Sequence, residues 1–212
     1  MSLVMLGAGG HAKSCEDIVN SFRDYSISVG GRITIGYRIE DTRKMSKPSW
    51  KSLAKNYDGF ILGVGQIHNP RARLEIVADI VASGGSVVTL ISPYARVSPD
   101  AAIGKGTVIM PNATVNAGAK IGMCCIINTG AIIEHDAVIG PFCHIATGAV
   151  VNGDCHVEKC SFIGSNAVLL NQIKVCVSTT VGAGSVVTKD ITEPGGIFCG
   201  NPAKLLRSRD NS

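Results

Sequence analysis

Three polar residues in a row, Glu134, His135 and Asp136, interrupt the otherwise aliphatic stretch IIEHDAVIG at 132–140. A histidine beside a carboxylate is a minimal set for general-base work. The imidazole takes a proton near neutral pH, and the carboxylate orients the ring and supports the charge it gains. Polar residues on a solvated turn look the same in a sequence, so the stretch acquires meaning only through the elements that position it.

Those elements announce themselves by their period. From Val97 to Val187 an aliphatic residue stands at every sixth position without exception, and Ile133 is one of them. Four residues after each stands a small one (Ala101, Thr107, Ala113 and onward), broken only by Ile173 and Ile191. Six fits neither a helix nor a simple strand. It fits a β-solenoid, in which each sextet forms one short strand and one corner of a triangular coil. The aliphatic residue points to the axis, the small residue packs at the corner, and glycines such as Gly104, Gly118, Gly122, Gly148 and Gly182 supply permissive backbone at turns.

Laid over IEHDAV, this frame puts Ile133 inside, Ala137 in the corner and Glu134, His135 and Asp136 outside. One coil is three sextets, so Gly153, eighteen residues on, stacks over His135. His144 follows half a coil after His135. A base, a glycine with a bare N–H above it and a second histidine suit acyl transfer, where the N–H stabilises the oxyanion. Cys143 abuts His144 and is the rival, a covalent nucleophile. It occupies the inward slot, where nothing activates a thiol. Cys125 and Cys155 share that slot and read as small buried hydrophobes.

Residues 1–92 follow another pattern. LVML (3–6), GAGGHAK (7–13) and the helix-like SCEDIVNSF (14–22) make a strand, a glycine-rich turn and a helix whose N-terminus suits phosphate. Further strands are expected at ITIGY (33–37), YDGFILGVG (57–65) and SVVTLI (86–91), with a helix within 69–85. Alternation of this kind predicts a small parallel α/β sheet. A full dinucleotide fold is disfavoured. The segment is half the required length, no acidic residue closes a clear second strand, and His11 is unusual in a pyrophosphate turn. A half-sized nucleotide site remains, with Gly9, Gly10 and Gly65 approaching phosphate or sugar and His11 either touching ligand or capping the turn. Arg71 pairs with a phosphate or is a solvated helix start. Glu40 or Asp41 stands where an acid near the nucleoside is expected.

Composition narrows the classes. The chain has 212 residues, 45% hydrophobic and 17% charged, enough for a sizeable core. Only 5% are aromatic and the net charge of +4 is scattered, which speaks against nucleic acid as a partner. No apolar run nears the ~18 residues of a membrane span, and MSLVMLGAGG lacks the features of a signal peptide. A soluble, cytoplasmic protein is expected. The eight cysteines show no CxxC pair, so neither metal nor disulfide is expected.

The repeat resembles the hexapeptide acyltransferases, which fold as left-handed parallel β-helices, a hand opposite to the usual crossover rule. GxGGHAK at the start, GVG at 63–65 followed by arginine, and the hexapeptide region with IEHD together resemble a narrower group over essentially the whole chain. These are the bacterial nucleotide-amino-sugar N-acetyltransferases and sialic acid O-acetyltransferases. The resemblance implies two domains, an α/β domain at 1–92 for the nucleotide sugar and a β-helix domain at 93–212 for acetyl-CoA. It also implies a homotrimer with sites between neighbouring helices, and direct attack of a 4-amino-4,6-dideoxy sugar, linked to UDP or dTDP, on the thioester. By the same resemblance His135 is the base, Asp136 its partner, His144 a residue near the thioester and Gly153 the amide facing its carbonyl. Gly182 is assigned to the acetyl-CoA side of the helix. FCGNPAKLLR (198–207) resembles the family's tail near the CoA adenine, so Lys189 and Lys204 meet CoA phosphates or are simply solvated. The expected product feeds surface-glycan synthesis, such as lipopolysaccharide. Sialic acid O-acetylation by the same His135 is the alternative, and a non-catalytic assembly module is a third reading.

Overall fold

The computed structural model describes residues 2–28, 36–40, 47–67 and 69–208. The chain opens with β1 (Ser2–Leu6), α1 (Gly10–Ser28), β2 (Gly36–Glu40), α2 (Lys47–Asn56), β3 (Gly59–Leu62) and α3 (Arg71–Ala82). The three strands form a parallel sheet in the order β2–β1–β3. Leu3, Val4, Met5 and Leu6 are all buried, the continuous apolar run of a strand covered on both faces. Ala12, Cys15, Ile18 and Val19 give α1 its buried stripe. Gly7, at φ +114°, lies where the ends of β1 and β3 meet, and a Cβ there would come within 2.7 Å of the Gly63 carbonyl oxygen. Only glycine fits that approach.

Three sequence expectations change. The second strand extends to Glu40, whose register partner is Leu6, and the Gly7 N–H donates to the Glu40 carbonyl at 2.8 Å. An acidic residue therefore does close this strand beside the glycine turn. Residues 33–35 and Asp41 lie outside the described residues. Helix α2 is unanticipated, because its lysines mask a short stripe in which Trp50 and Leu53 are buried and Trp50 meets Phe60 at 6.2 Å. The strand expected at 86–91 divides its partners. Ser86 and Val88 bond to Phe60 of β3, whereas β4 (Leu90–Ile91) pairs with Val108–Ile109 as the first rung of the solenoid. The sextet frame thus reaches back one step to Ile91.

The solenoid is built from two-residue parallel strands stacked in three faces. Face 1 runs from β4 through Ile126–Ile127 and His144–Ile145 to Thr180–Val181, and is extended by a hairpin of Ile197–Cys199 and Lys204–Arg207. Face 2 holds Thr114–Val115, Ile132–Ile133, Val150–Val151, Val168–Leu169 and Val186–Val187. Face 3 holds Lys120–Ile121, Val138–Ile139, His156–Val157 and Lys174–Val175. Partners are eighteen apart, as in Ile132 with Val150. The second residue of each pair points inward, and together these residues form one aliphatic column from Ile109 to Val187.

Two local rules hold the coils. Small corner residues with a donor reach the coil above: Thr107 donates to the Gly122 carbonyl, Cys125 to Gly140, Cys143 to Glu158 and Ser161 to Cys176, at 2.8–3.1 Å. Polar atoms thereby enter the core without an orphaned group. From Ile103 to Val181 the third residue after each inward aliphatic takes positive φ, and nine of these are not glycine, Asp136 at +60° among them. The glycine content alone does not reveal this left-handed position. It aims the side chain outward along the corner.

The α/β unit packs on face 1. Leu90, Val108 and Met110 join the cluster of Leu3, Met5 and Ile18, while Cys124 and Phe142, at the corner between faces 3 and 1, join that of Leu62, Ile76 and Ile80.

Candidate active site

His135 and Asp136 sit on the corner between faces 2 and 3. His135 Nδ1 lies 3.0 Å from Asp136 Oδ2, with the side chains 58% and 61% exposed. The left-handed backbone at Asp136 turns its carboxylate back to the ring, and the Glu134 carboxylate accepts from the His135 N–H at 3.3 Å. With Nδ1–H donating to Asp136, the Nε2 lone pair is directed outward, the state a general base needs. Hydrogen bonding to Asp136, then the charges of Asp136, Asp154 and Glu134, raise the His135 pKa above 6.5.

Gly153 stacks over the ring as its spacing requires. A Cβ on Gly153 would lie 2.7 Å from both Cε1 and Nε2 of His135, so the glycine leaves the space the imidazole fills. Its N–H donates to no backbone carbonyl among the described residues. Gly118 plays the same part below: a Cβ there would collide with Asp136 Oδ1. The dyad is thus seated between two bare positions of adjacent coils.

This arrangement makes a pH prediction. If His135 serves as the base, the neutral imidazole is the active form, and kcat/KM is expected to rise with pH through its pKa. Asp136→Asn removes the interaction that raises that pKa. The rising limb then moves to lower pH while the plateau falls by about tenfold or more, since the imidazolium loses its support. A pH–rate profile in which the limb stays in place or moves upward contradicts the dyad.

A second region lies on face 1 and its corner with face 2. The turn Gly7–Gly10 and Gly63–Gly65 border a cleft of about 670 Å³, with Gly9, Gly10, His11 and Gly65 all lining it. His11 and Gly65 also line an adjoining cleft of about 550 Å³, whose floor is His144, Asn128 and Thr147 of the solenoid. His144 is 8% exposed. Its Nδ1–H donates to the Gln66 carbonyl, and its Nε2 accepts from Asn128 Nδ2 at 3.1 Å. The ring meets Phe162 edge-on at 5.1 Å. Burial foremost drives the His11 pKa down to about 3 and that of His144 down to about 4. Both rings are neutral hydrogen-bonding groups, unsuited to act as bases toward an amine.

The remaining predicted residues divide. Lys189 is exposed on the corner of His135, three coils on, about 14 Å away by strand spacing. Gly182 lies at the other end of face 2, with Cys199 of the hairpin stacked over it, and Lys204 is exposed on that hairpin. Arg71 is 80% exposed, paired with Glu75 at 2.8 Å, and lines neither cleft. The buried arginine is Arg73, which the sequence reading passed over. Its spacing with Ile76, Val77 and Ile80 on the buried stripe of α3 was the available signal. Cys143 is 1% exposed, donates to the Glu158 carbonyl at 3.1 Å and has a pKa pushed well above 9.0 by burial, so it is no nucleophile. Among the described residues no cluster of His, Cys, Asp or Glu is placed to hold a metal.

A β-solenoid that carries an exposed His–Asp dyad under a bare glycine amide at one end of face 2, and a glycine-lined cleft at the other, has the architecture of a hexapeptide-repeat acyltransferase. The solved acetyltransferase domain of PglB from Neisseria gonorrhoeae is 32% identical over 97% of this chain and 99% of that one, with a TM-score of 0.83. That domain in complex with acetyl coenzyme A matches with a TM-score of 0.82. PerB from Caulobacter crescentus, solved with CoA and GDP-perosamine, is 27% identical over 97% of both chains, with a TM-score of 0.84. The chain belongs to this family of left-handed β-helix acetyltransferases, and acetyl-CoA is its co-substrate. Neither a family model nor a curated protein matches the sequence.

Proposed function

We propose that the protein transfers the acetyl group of acetyl-CoA to the amino group of a nucleotide-linked 4-amino-4,6-dideoxy sugar. The observation that carries this is the His135–Asp136 dyad seated beneath Gly153. His135 Nε2 takes the proton from the attacking amine as nitrogen bonds to the thioester carbon. The carbonyl oxygen gathers negative charge against the Gly153 N–H. When the C–S bond breaks, the imidazolium returns its proton to the departing CoA sulfur, so no acyl-enzyme forms.

In one chain the dyad and the nucleotide-type cleft lie at opposite ends of face 2. Beyond Arg96 on its first rung, the outward row between them is half-buried and mostly apolar, made of Thr114, Ile132, Val150, Val168 and Val186, whereas face 3 mixes Ala102 and Val138 with Lys120, His156 and Lys174. This supports the homotrimer, in which a neighbouring copy's cleft, with His11 and His144, meets His135 across face 2. Lys189 lies along the same corner, suited to a CoA phosphate. Glu40, closing β2 beside the glycine turn, suits a ribose hydroxyl. Half of the residues lining the cleft are glycines, whose bare backbone suits phosphate, and PerB, with GDP-perosamine bound, favours a nucleotide sugar over free sialic acid. No helix among the described residues is long and apolar enough to cross a membrane. Acetyl-CoA and nucleotide sugars are cytoplasmic metabolites, which supports that compartment, with surface glycans such as lipopolysaccharide as the destination.

The test is thiol release from acetyl-CoA over UDP-, dTDP- and GDP-linked 4-amino sugars and free sialic acid. Turnover on one nucleotide amino sugar, at least about a hundredfold above the others, is expected. Turnover on sialic acid alone would replace the proposal with O-acetylation.

A further inference from the structure

Arg73 is a guanidinium taken almost wholly out of water, at 1% exposure, and no carboxylate pairs with it among the described residues. Its acceptors are main-chain carbonyls from both parts of the molecule. Nη1 donates to Val64 and, at 3.4 Å, to Leu62, where the chain leaves β3. Nη2 donates to Cys124 at 2.8 Å, on the corner between faces 3 and 1. One coil above, Gln66 Nε2 donates to the Phe142 carbonyl at 2.9 Å. Cys124 and Phe142 occupy the left-handed position of successive corners. Two side chains, four and eleven residues past the end of β3, thus grip equivalent carbonyls of adjacent coils.

A buried, unpaired cation is costly, and Arg73 Nε and Gln66 Oε1 also have no protein partner, so this joint is poorly explained as stabilisation alone. What it orders is the segment 63–66. That segment supplies Gly65 to the cleft and the Gln66 carbonyl that takes the His144 Nδ1–H. We propose that Arg73 is the positioning residue of the nucleotide-sugar cleft, clamping the segment after β3 to the solenoid so that Gln66 orients His144 opposite His11. The substrate named here rests on the function proposed above, whereas the clamp itself does not.

The charge of Arg73 reaches both imidazoles, and on His144 it opposes the Gln66 hydrogen bond, which raises that pKa. Burial is the largest cause of the low pKa of both imidazoles. Arg73 from α3 lowers both further, and His144 from face 1 lowers that of His11. Of the other groups facing this joint, Cys15 lies 3.7 Å from His11 Nε2 on α1, and burial pushes its thiol up to about 12. Cys124 and Cys125, facing Arg73 from the solenoid, are also raised by burial, so no anion offsets the cation.

Two variants test the assignment. Arg73→Gln removes the charge and part of the clamp, and Arg73→Lys keeps the charge but loses the fork that reaches three carbonyls. Histidine side-chain NMR titration on the full-length protein reads the His11 and His144 pKa values directly, without substrate. The His11 value rises in Arg73→Gln and stays low in Arg73→Lys, whereas the His144 value falls in Arg73→Lys, where the charge remains and the Gln66 hydrogen bond that raises it is loosened. In steady-state kinetics each variant raises KM for the nucleotide amino sugar by about tenfold or more, as a misplaced binding segment does, with kcat and the KM for acetyl-CoA within about twofold of wild type. Unmoved titrations in Arg73→Gln together with an unmoved sugar KM overturn the proposal. So does a loss that appears only as a lower melting temperature with intact KM. If no nucleotide amino sugar is a substrate, the titrations still decide whether Arg73 controls the two rings, and the failure falls on the proposed substrate instead.

Discussion

His135→Ala lowers kcat by about 10²–10⁴-fold, the range a positioned general base supplies, with the KM for acetyl-CoA changed by no more than about threefold. The reason is the geometry of a single nitrogen. Nδ1 is committed to Asp136, so Nε2 is the atom left to accept the proton of the attacking amine. His11 and His144 cannot substitute, because burial holds both pKa values far below that of His135. The side chain of His135 is more than half exposed, and its removal leaves the aliphatic column untouched, so the melting temperature stays within a few degrees of wild type. Thiol release with the preferred amino sugar, measured at saturating acetyl-CoA, checks the result. A kcat within tenfold of wild type would assign the proton to another group and remove the basis of the mechanism.

Gly153→Ala is the second variant with a large expected effect, and it separates seating from chemistry. The new methyl would enter 2.7 Å from Cε1 and Nε2 of His135, which is closer than Cβ atoms come to other heavy atoms. The ring, lying at the surface, swings away at little cost in stability, and its bond to Asp136 goes with it. The backbone N–H over the site remains. We expect kcat to fall about 10–100-fold from this displacement, since errors of an ångström at a reacting group carry losses of that size. Because Gly153→Ala acts through the imidazole, the double variant with His135→Ala should be no slower than His135→Ala alone. Additive losses in that cycle would mean that Gly153 contributes independently, through the amide alone.

Both predictions rest on stacking that the period alone foretells. An unbroken sextet pattern from Val97 to Val187 admits one coil of eighteen residues. The residue above His135 could therefore be named as Gly153 before any coordinates. The same arithmetic put Cys143 inside the column and so disposed of it as a nucleophile. A strict repeat converts sequence separation into spatial proximity, and long-range contacts become as legible as local ones.

The front of the chain has no such ruler, and there reading by type failed in detail. Arg71 and Arg73 are equivalent as composition. Only the docking of α3 sends one into solvent with Glu75 and the other into the joint with Cys124. The strand expected at 86–91 looked uniform, yet Val87 belongs beside Phe60 and Leu90 beside Val108, because two sheets compete for one extended segment. Glu40 as the end of β2 depended on where pairing with Leu6 stops.

From its sequence alone, then, this protein determined the solenoid, the outward placing of His135 and Asp136 on one corner and the glycine above them, because all three follow from a fixed translational repeat. Tertiary structure decided the rest. It chose which arginine is buried, it sealed His144 against Gln66 as a neutral ring, and it set the dyad and the cleft at opposite ends of one apolar face. Those outcomes depend on how the α/β unit and the solenoid share an interface, where burial and unpaired charge are settled by packing between distant residues.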